Sequence, residues 1–246
     1  MLPELDRKIY EWQLAVPGFG EAGQEKLRSA TALISRAGGV GGSVAFSLAA
    51  AGIGKLILAH GGELRLDDLN RQILMRYEGV GKPRVESMVA TLGAFNPRIA
   101  VETVAQNICE ENVASLVGKA DLVFSAAPLF QERLLMNREC VRQRRPLIDC
   151  SMYNLEGQII PVLPGESACL ACLYPEAPPH WQRVFPVFGA VAALAANIGA
   201  MEGIKLLAGF GEVNAGRMIY FNAGTSRFQT IVLKRNPRCA VCSEIS

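Results

Sequence analysis

Four of the seven cysteines in the 246-residue chain form two C-x-x-C pairs, Cys169/Cys172 and Cys239/Cys242. Thiols at that spacing bind a metal ion or close a disulfide. The amino-terminal stretch MLPELDRKIYEWQ is charged and lacks the apolar core of a signal peptide, so export is not expected and a metal site is favoured over disulfides. A second constellation is the glycine cluster Gly38, Gly39, Gly41 and Gly42, which follows the apolar run ALIS and precedes small helix-forming residues. Glycines at such a strand-to-helix turn let the backbone approach a phosphate, and the free N–H groups of the helix start face it. The register that puts glycines at 38 and 41 has Arg36 in its first place, so the full G-x-G-x-x-G spelling fails. By itself the stretch reads equally well as a nucleotide site or as a tight turn between a buried strand and a helix.

The elements that would position these groups alternate. Thr31–Ser35, Lys55–Ala59, Ile99–Val104, Asp121–Ser125 and Pro146–Cys150 read as buried strands. Gly42–Ala51, Lys82–Ala94, Cys109–Val117 and Phe130–Arg144 read as the helices between them. That alternation predicts an α/β fold with a doubly wound, mostly parallel sheet. Gly157–Leu163, Gly216–Phe221 and Phe228–Lys234 alternate apolar and polar residues and should extend the sheet antiparallel. The expected organisation is one domain over 1–246. Residues 1–30 form a charged arm with a short helix broken by Pro17, Gly18 and Gly20, 31–150 a nucleotide-fold half, and 151–246 an antiparallel, cysteine-bearing half.

Half of the residues are hydrophobic and the net charge is only +2, which argues against disorder and against a nucleic-acid partner. The most apolar run, Pro186 to Phe210, carries Asn197, Glu202 and Lys205. It reads as a buried or interface helix, so no membrane partner is expected. The chain is expected to be cytoplasmic.

Taken in order, GFGEAGQEKL, the glycine turn, DDLNRQIL, VGKPRVES, NLEGQI, CLAC, AMEGIKLLAGFG and NPRCAVC resemble the ThiF/MoeB/HesA family, bacterial relatives of ubiquitin-activating enzymes. The resemblance covers nearly the whole chain. It implies a homodimer with a structural zinc held by Cys169, Cys172, Cys239 and Cys242, which binds MgATP and adenylates the C-terminal Gly-Gly of a ubiquitin-like sulfur carrier. Four thiolates in two pairs suit tetrahedral zinc. Cofactor-binding positions carried over from the family are Gly38, Gly39, Gly41, Arg36, His60, Arg71, Gln72 and Arg84, and Arg71 and Asp149 are the candidate catalytic groups.

The nucleotide positions depart from the family pattern. Arg36 replaces its leading glycine, His60 the aspartate that grips the ribose, Pro128 the magnesium aspartate, and Trp12 the arginine that reaches ATP from the partner subunit. Gly62 stands at a further acid position, Asp68 replaces an asparagine, and Arg84 a lysine. Arg71 and Gln72 match. Glu63, Asp67 or Asp149 would have to substitute for the lost acids, and Asp149, near the carboxyl end of a strand, is the best placed. The crossing loop between Tyr174 and Pro186 carries no cysteine, which argues against thioester chemistry there. Turn, ribose anchor, metal ligand and trans cation are altered together. The favoured reading is therefore a protein that binds a carrier or peptide C-terminal tail with its adenylation lost or much altered, and with MgATP binding in doubt. The alternative is an active adenylyltransferase using substitute groups. An NAD-dependent oxidoreductase ranks last, because it needs an acid where His60 stands.

Overall fold

The computed structural model describes residues 2–178 and 186–245; His180 and Trp181, in the crossing loop between Tyr174 and Pro186, lie outside them. At the centre is β1 (Thr31–Ser35), with four of its five residues buried. Parallel to it run β2 (Lys55–Ala59) on one side and β4 (Leu122–Ser125) on the other. β3 (Ala100–Val104) lies beyond β2, and β5 (Leu147–Tyr153) beyond β4. Antiparallel β6 (Glu156–Val162), β7 (Arg217–Asn222) and β8 (Arg227–Val232) complete one sheet in the order β3-β2-β1-β4-β5-β6-β7-β8.

The central strands are apolar in succession because both faces are covered. Leu56, Leu58, Ile34 and Phe124 face a core shared with α4 (Gly39–Ala51), α5 (Arg84–Phe95) and α9 (Gly189–Ala208). Leu33, Ile57 and Val123 face a second core, which is built with α6 (Glu110–Gly118) and α7 (Phe130–Arg142). α9 is long and apolar enough to cross a membrane by length and composition, yet it packs along α4, β5 and β6. Its glycines allow that approach: a Cβ at Gly203 would lie 2.4 Å from Phe124 Cζ, and one at Gly199 would lie 2.2 Å from Cys150 Sγ.

Three details differ from the sequence expectation. The arm forms three helices, α1 (Glu4–Ile9), α2 (Glu11–Leu14) and α3 (Gly20–Ser29), where one was expected. The helix after β1 begins at Gly39, three residues before the expected Gly42, because the glycines themselves make its first turn. β5 continues to Tyr153, past the expected Cys150, since β6 folds back along it through a tight turn with Asn154 at φ 57°.

Candidate functional site

The chain winds from β1 towards β3, then crosses to β4, so the carboxyl ends of β1 and β4 part and leave a crevice. A cavity of about 150 Å³ lies there. Arg36, Gly38 and Gly39 reach it from the end of β1, His60 from β2, and Ala126 to Pro128 from β4. Arg71, Gln72 and Arg84 line it as well, so seven of the nucleotide candidates come together.

Gly41 is not among the lining residues. A Cβ there would lie 2.6 Å from the Arg36 carbonyl oxygen, so this glycine serves the close fit of helix on strand end. Asp149 does not line the cavity either. It is fully buried, and its carboxylate accepts from Arg133 Nε at 3.0 Å and Arg133 Nη2 at 2.6 Å. Both oxygens are therefore engaged, which removes the best-placed substitute acid. Glu63 and Asp67 are exposed and away from the cavity, and Asp67 pairs with Arg65.

The cations of the crevice are also matched. Arg36 adopts the left-handed region at φ 48°, and its Nε donates to Glu132 Oε2 at 2.7 Å. Burial pushes the Glu132 carboxyl up, against the pull of the Arg36 charge and hydrogen bond. Arg84 lies almost wholly buried at the start of α5, with Nη2 donating to Asp68 Oδ2 at 2.7 Å and Nη1 to the Gly61 carbonyl at 3.0 Å. Asp68 is a hub. Its Oδ1 accepts from Gln72 Nε2 at 2.6 Å and from Arg71 Nη2 at 3.4 Å, and its Oδ2 accepts from the Arg65 backbone N–H. Burial opposes its ionisation, but the hydrogen bonds from Arg84 and Arg65 and the charges of Arg84 and Arg71 outweigh that and hold its pKa below the ordinary value. Burial, followed by the charges of Arg84 and Arg36, lowers His60 to about 4, so the imidazole is neutral at physiological pH.

Asp68 was visible in the sequence only as a replaced asparagine, and Glu132 and Arg133 were not singled out. The one signal for the latter two is a Glu-Arg pair on the helix that follows β4, at the carboxyl-end rim where such sheets hold ligands. A second cavity of about 200 Å³ adjoins the first. Arg133, Ser151 and Met152 line both, and Phe130, Tyr174 and Tyr220 line the second alone.

Away from the crevice the four paired cysteines meet. Cys169 lies at the start of the short α8 (Leu170–Leu173), and Cys239 and Cys242 follow β8. Their sulfurs all lie within 4.8 Å of one another, with Cys169 Sγ 3.7 Å from Cys239 Sγ and Cys172 Sγ 3.4 Å from Cys242 Sγ. Tetrahedral zinc with Zn–S bonds of about 2.3 Å would set sulfurs about 3.8 Å apart, so the cluster fits such an ion. The Asn236 backbone N–H donates to Cys172 Sγ, an orienting contact of the kind metal thiolates receive. Cys140 and Cys150 are buried singly and Cys109 partly, as expected of packed thiols.

The family model described as the ThiF family matches residues 10–241. Protein HesA of Leptolyngbya boryana is 44% identical over 97% of this chain and 86% of its own length. The sulfur carrier protein adenylyltransferase of Thermus thermophilus is 34% identical over 98% of this chain and 92% of its own. The crystal structure of E. coli MccB with ATP aligns at a TM-score of 0.79 and 26% identity, over 90% of this chain and 68% of that one. The strand–glycine–helix turn, the crevice at the sheet's switch point and the four-cysteine cluster thus occur in a chain that belongs to the ThiF family.

Proposed function

We propose that this chain binds the C-terminal tail of a ubiquitin-like sulfur carrier or peptide, and that ATP-dependent adenylation of that tail is lost or much altered. It then acts as a scaffold, a regulator or a binder of another ligand. The observation that carries this reading is that each carboxylate in or beside the crevice is already engaged by a guanidinium: Asp68 by Arg84 and Arg71, Asp149 by Arg133, and Glu132 by Arg36. A magnesium ion needs oxygen ligands, and attack on an α-phosphate needs cations free to take up developing charge. In this crevice Asp68, Asp149 and Glu132 each stand in an ion pair with one of the arginines. Arg36 also puts a side chain at the turn where the backbone itself would meet phosphate. The four-cysteine cluster is read as structural zinc, and the unbroken sheet supports reading 1–246 as one domain.

Calorimetric titration with MgATP, combined with pyrophosphate exchange in the presence of a carrier ending in Gly-Gly, tests the reading. The expected result is no saturable heat and no carrier-dependent exchange. Robust exchange would establish the second reading, an active adenylyltransferase. That reading is favoured by the convergence of Arg71, Gln72 and Arg84 on one cavity and by the activity named for the Thermus thermophilus relative.

The assembly proposed is a homodimer. Trp12 on α2 is 89% exposed in the single chain, and Leu5, Ile9 and Val16 on the same arm are exposed beside it in sequence. Sedimentation equilibrium should return twice the chain mass, and a monomer at micromolar concentration would remove this part of the proposal.

A further inference from the structure

Arg36, Arg71, Arg84 and Arg133 all line the crevice, and Asp68 is the one carboxylate among its described lining residues. Glu132 and Asp149, which pair with Arg36 and Arg133, do not line it. Asp68 therefore differs from them in place as well as in partners. Its Oδ1 accepts from Gln72 Nε2 and Arg71 Nη2, and its Oδ2 accepts from Arg84 Nη2 at 2.7 Å, Arg84 Nε at 3.2 Å and the Arg65 N–H at 3.1 Å. A carboxylate that gathers two guanidiniums, an amide and a backbone N–H has the donor set of a bound oxyanion.

Those donors are placed without its help. Arg84 Nη1 donates to the Gly61 carbonyl, and a Cβ at Gly62 would lie 2.8 Å from that nitrogen, so the guanidinium is seated against the backbone there. Arg71 Nη1 donates to the Asp67 carbonyl and to Asn70 Oδ1, whereas its link to Asp68 is the long one, at 3.4 Å. Taking away the charge of Asp68 would leave both guanidiniums in position with donors released. With the charge in place, a multivalent anion entering the cavity meets a like charge at the wall and finds these donors engaged. Repulsion at such range is far stronger in a partly dry site than in water.

We infer that Asp68 is an internal counter-anion that occupies the oxyanion place of the crevice and keeps multivalent oxyanions, polyphosphates among them, from Arg84 and Arg71. The inference rests on the reading of lost adenylation given above and deepens it by assigning the block to one carboxylate. It predicts a gain on substitution, which a merely structural role for Asp68 would not produce.

Calorimetric titration of the whole protein with sodium tripolyphosphate at fixed ionic strength tests it. Asp68→Asn should bind at least about tenfold more tightly than the parent chain, the scale of one hydrogen bond to a charged group. The same variant leaves the nearly buried Arg84 without its counter-charge, so it should melt below the parent and be raised by tripolyphosphate more than the parent is. Asp67→Asn is the control, because it removes an equal charge from an exposed neighbour outside the cavity and should show no gain. Asp68→Ser gives the same comparison where the asparagine variant fails to fold. Equal affinity in the parent and the folded position-68 variant would overturn the role of Asp68 and leave lost adenylation standing. An equal gain in Asp67→Asn would do the same, by showing an effect of net charge alone. Carrier-dependent pyrophosphate exchange by the parent chain would overturn both, since a chain that turns over MgATP is not closed to polyphosphate.

Discussion

Arg36 shows how far a single substitution reaches. A non-glycine residue in the left-handed region carries a cost of roughly 1–2 kcal/mol, and at this turn a glycine would carry none. What holds the residue there is Glu132, 96 positions later, whose carboxylate is buried and accepts from Arg36 Nε. Arg36→Gly therefore removes strain and strands a carboxylate at the same time. The second effect is the larger, because breaking one side of a buried pair costs about 3–5 kcal/mol. We expect Arg36→Gly to lower the urea unfolding free energy by about 2–3 kcal/mol net, and Arg36→Gly/Glu132→Gln to recover most of the loss. A single variant as stable as the parent chain would show that the pair contributes nothing. That Arg36 breaks the glycine motif was legible in the sequence, whereas its partner was not, because nothing in a linear chain marks which of many acids a turn will meet.

At the scale of elements, legibility followed burial. The five parallel strands stood out because helices cover both their faces, so each is an apolar run between turns. The amino-terminal arm did not, since its helices are short and mostly exposed. They bury only a few residues, such as Asp6 on α1 and Leu27 on α3. β5 was cut short in the sequence reading because Ser151 and Tyr153 break the apolar run. Its last residues are fixed by the antiparallel ladder to β6, a pairing that only tertiary structure supplies. The crevice was legible as a place, through the glycine turn and the residues near DDLNRQIL, and less so as chemistry. His60, Arg71, Gln72 and Arg84, singled out from the sequence, all line that cavity. Asp149 was placed near it by strand position alone, and the structure turns that carboxylate away into Arg133. Strand position fixes where a Cα stands, but the partner that claims the side chain comes from a helix 16 residues earlier.

For the molecule as a whole, the sheet has one weak margin and the cysteine cluster lies next to it. All six residues of β8 are exposed, and its sheet pairing is to β7 alone. The segment that follows is brought back to the main body where Cys239 and Cys242 meet Cys169 and Cys172. Arg235 reinforces this return by donating to the Gly165 carbonyl at 2.9 Å and to the carbonyls of Cys242 and Ile245. A cross-link joining positions 70 residues apart restricts the unfolded chain by on the order of 4 kcal/mol on the loop-entropy model. If the thiolates hold zinc, its removal exposes both that entropy and four clustered thiols. Elemental analysis of the native protein should find one zinc per chain. Cys239→Ser should release the metal and lower a single cooperative melting transition by about 10 degrees, given a shift of roughly 2–4 degrees per kcal/mol at this size. Hydrogen exchange should quicken first in β7 and β8, because their ladder is the part of the sheet with least other support. A native protein free of zinc, or a Cys239→Ser variant with unchanged melting and exchange, would mean that the cluster is four reduced thiols and that Arg235, with the packing of Leu233, Val241 and Ile245 on the second core, secures the chain's return.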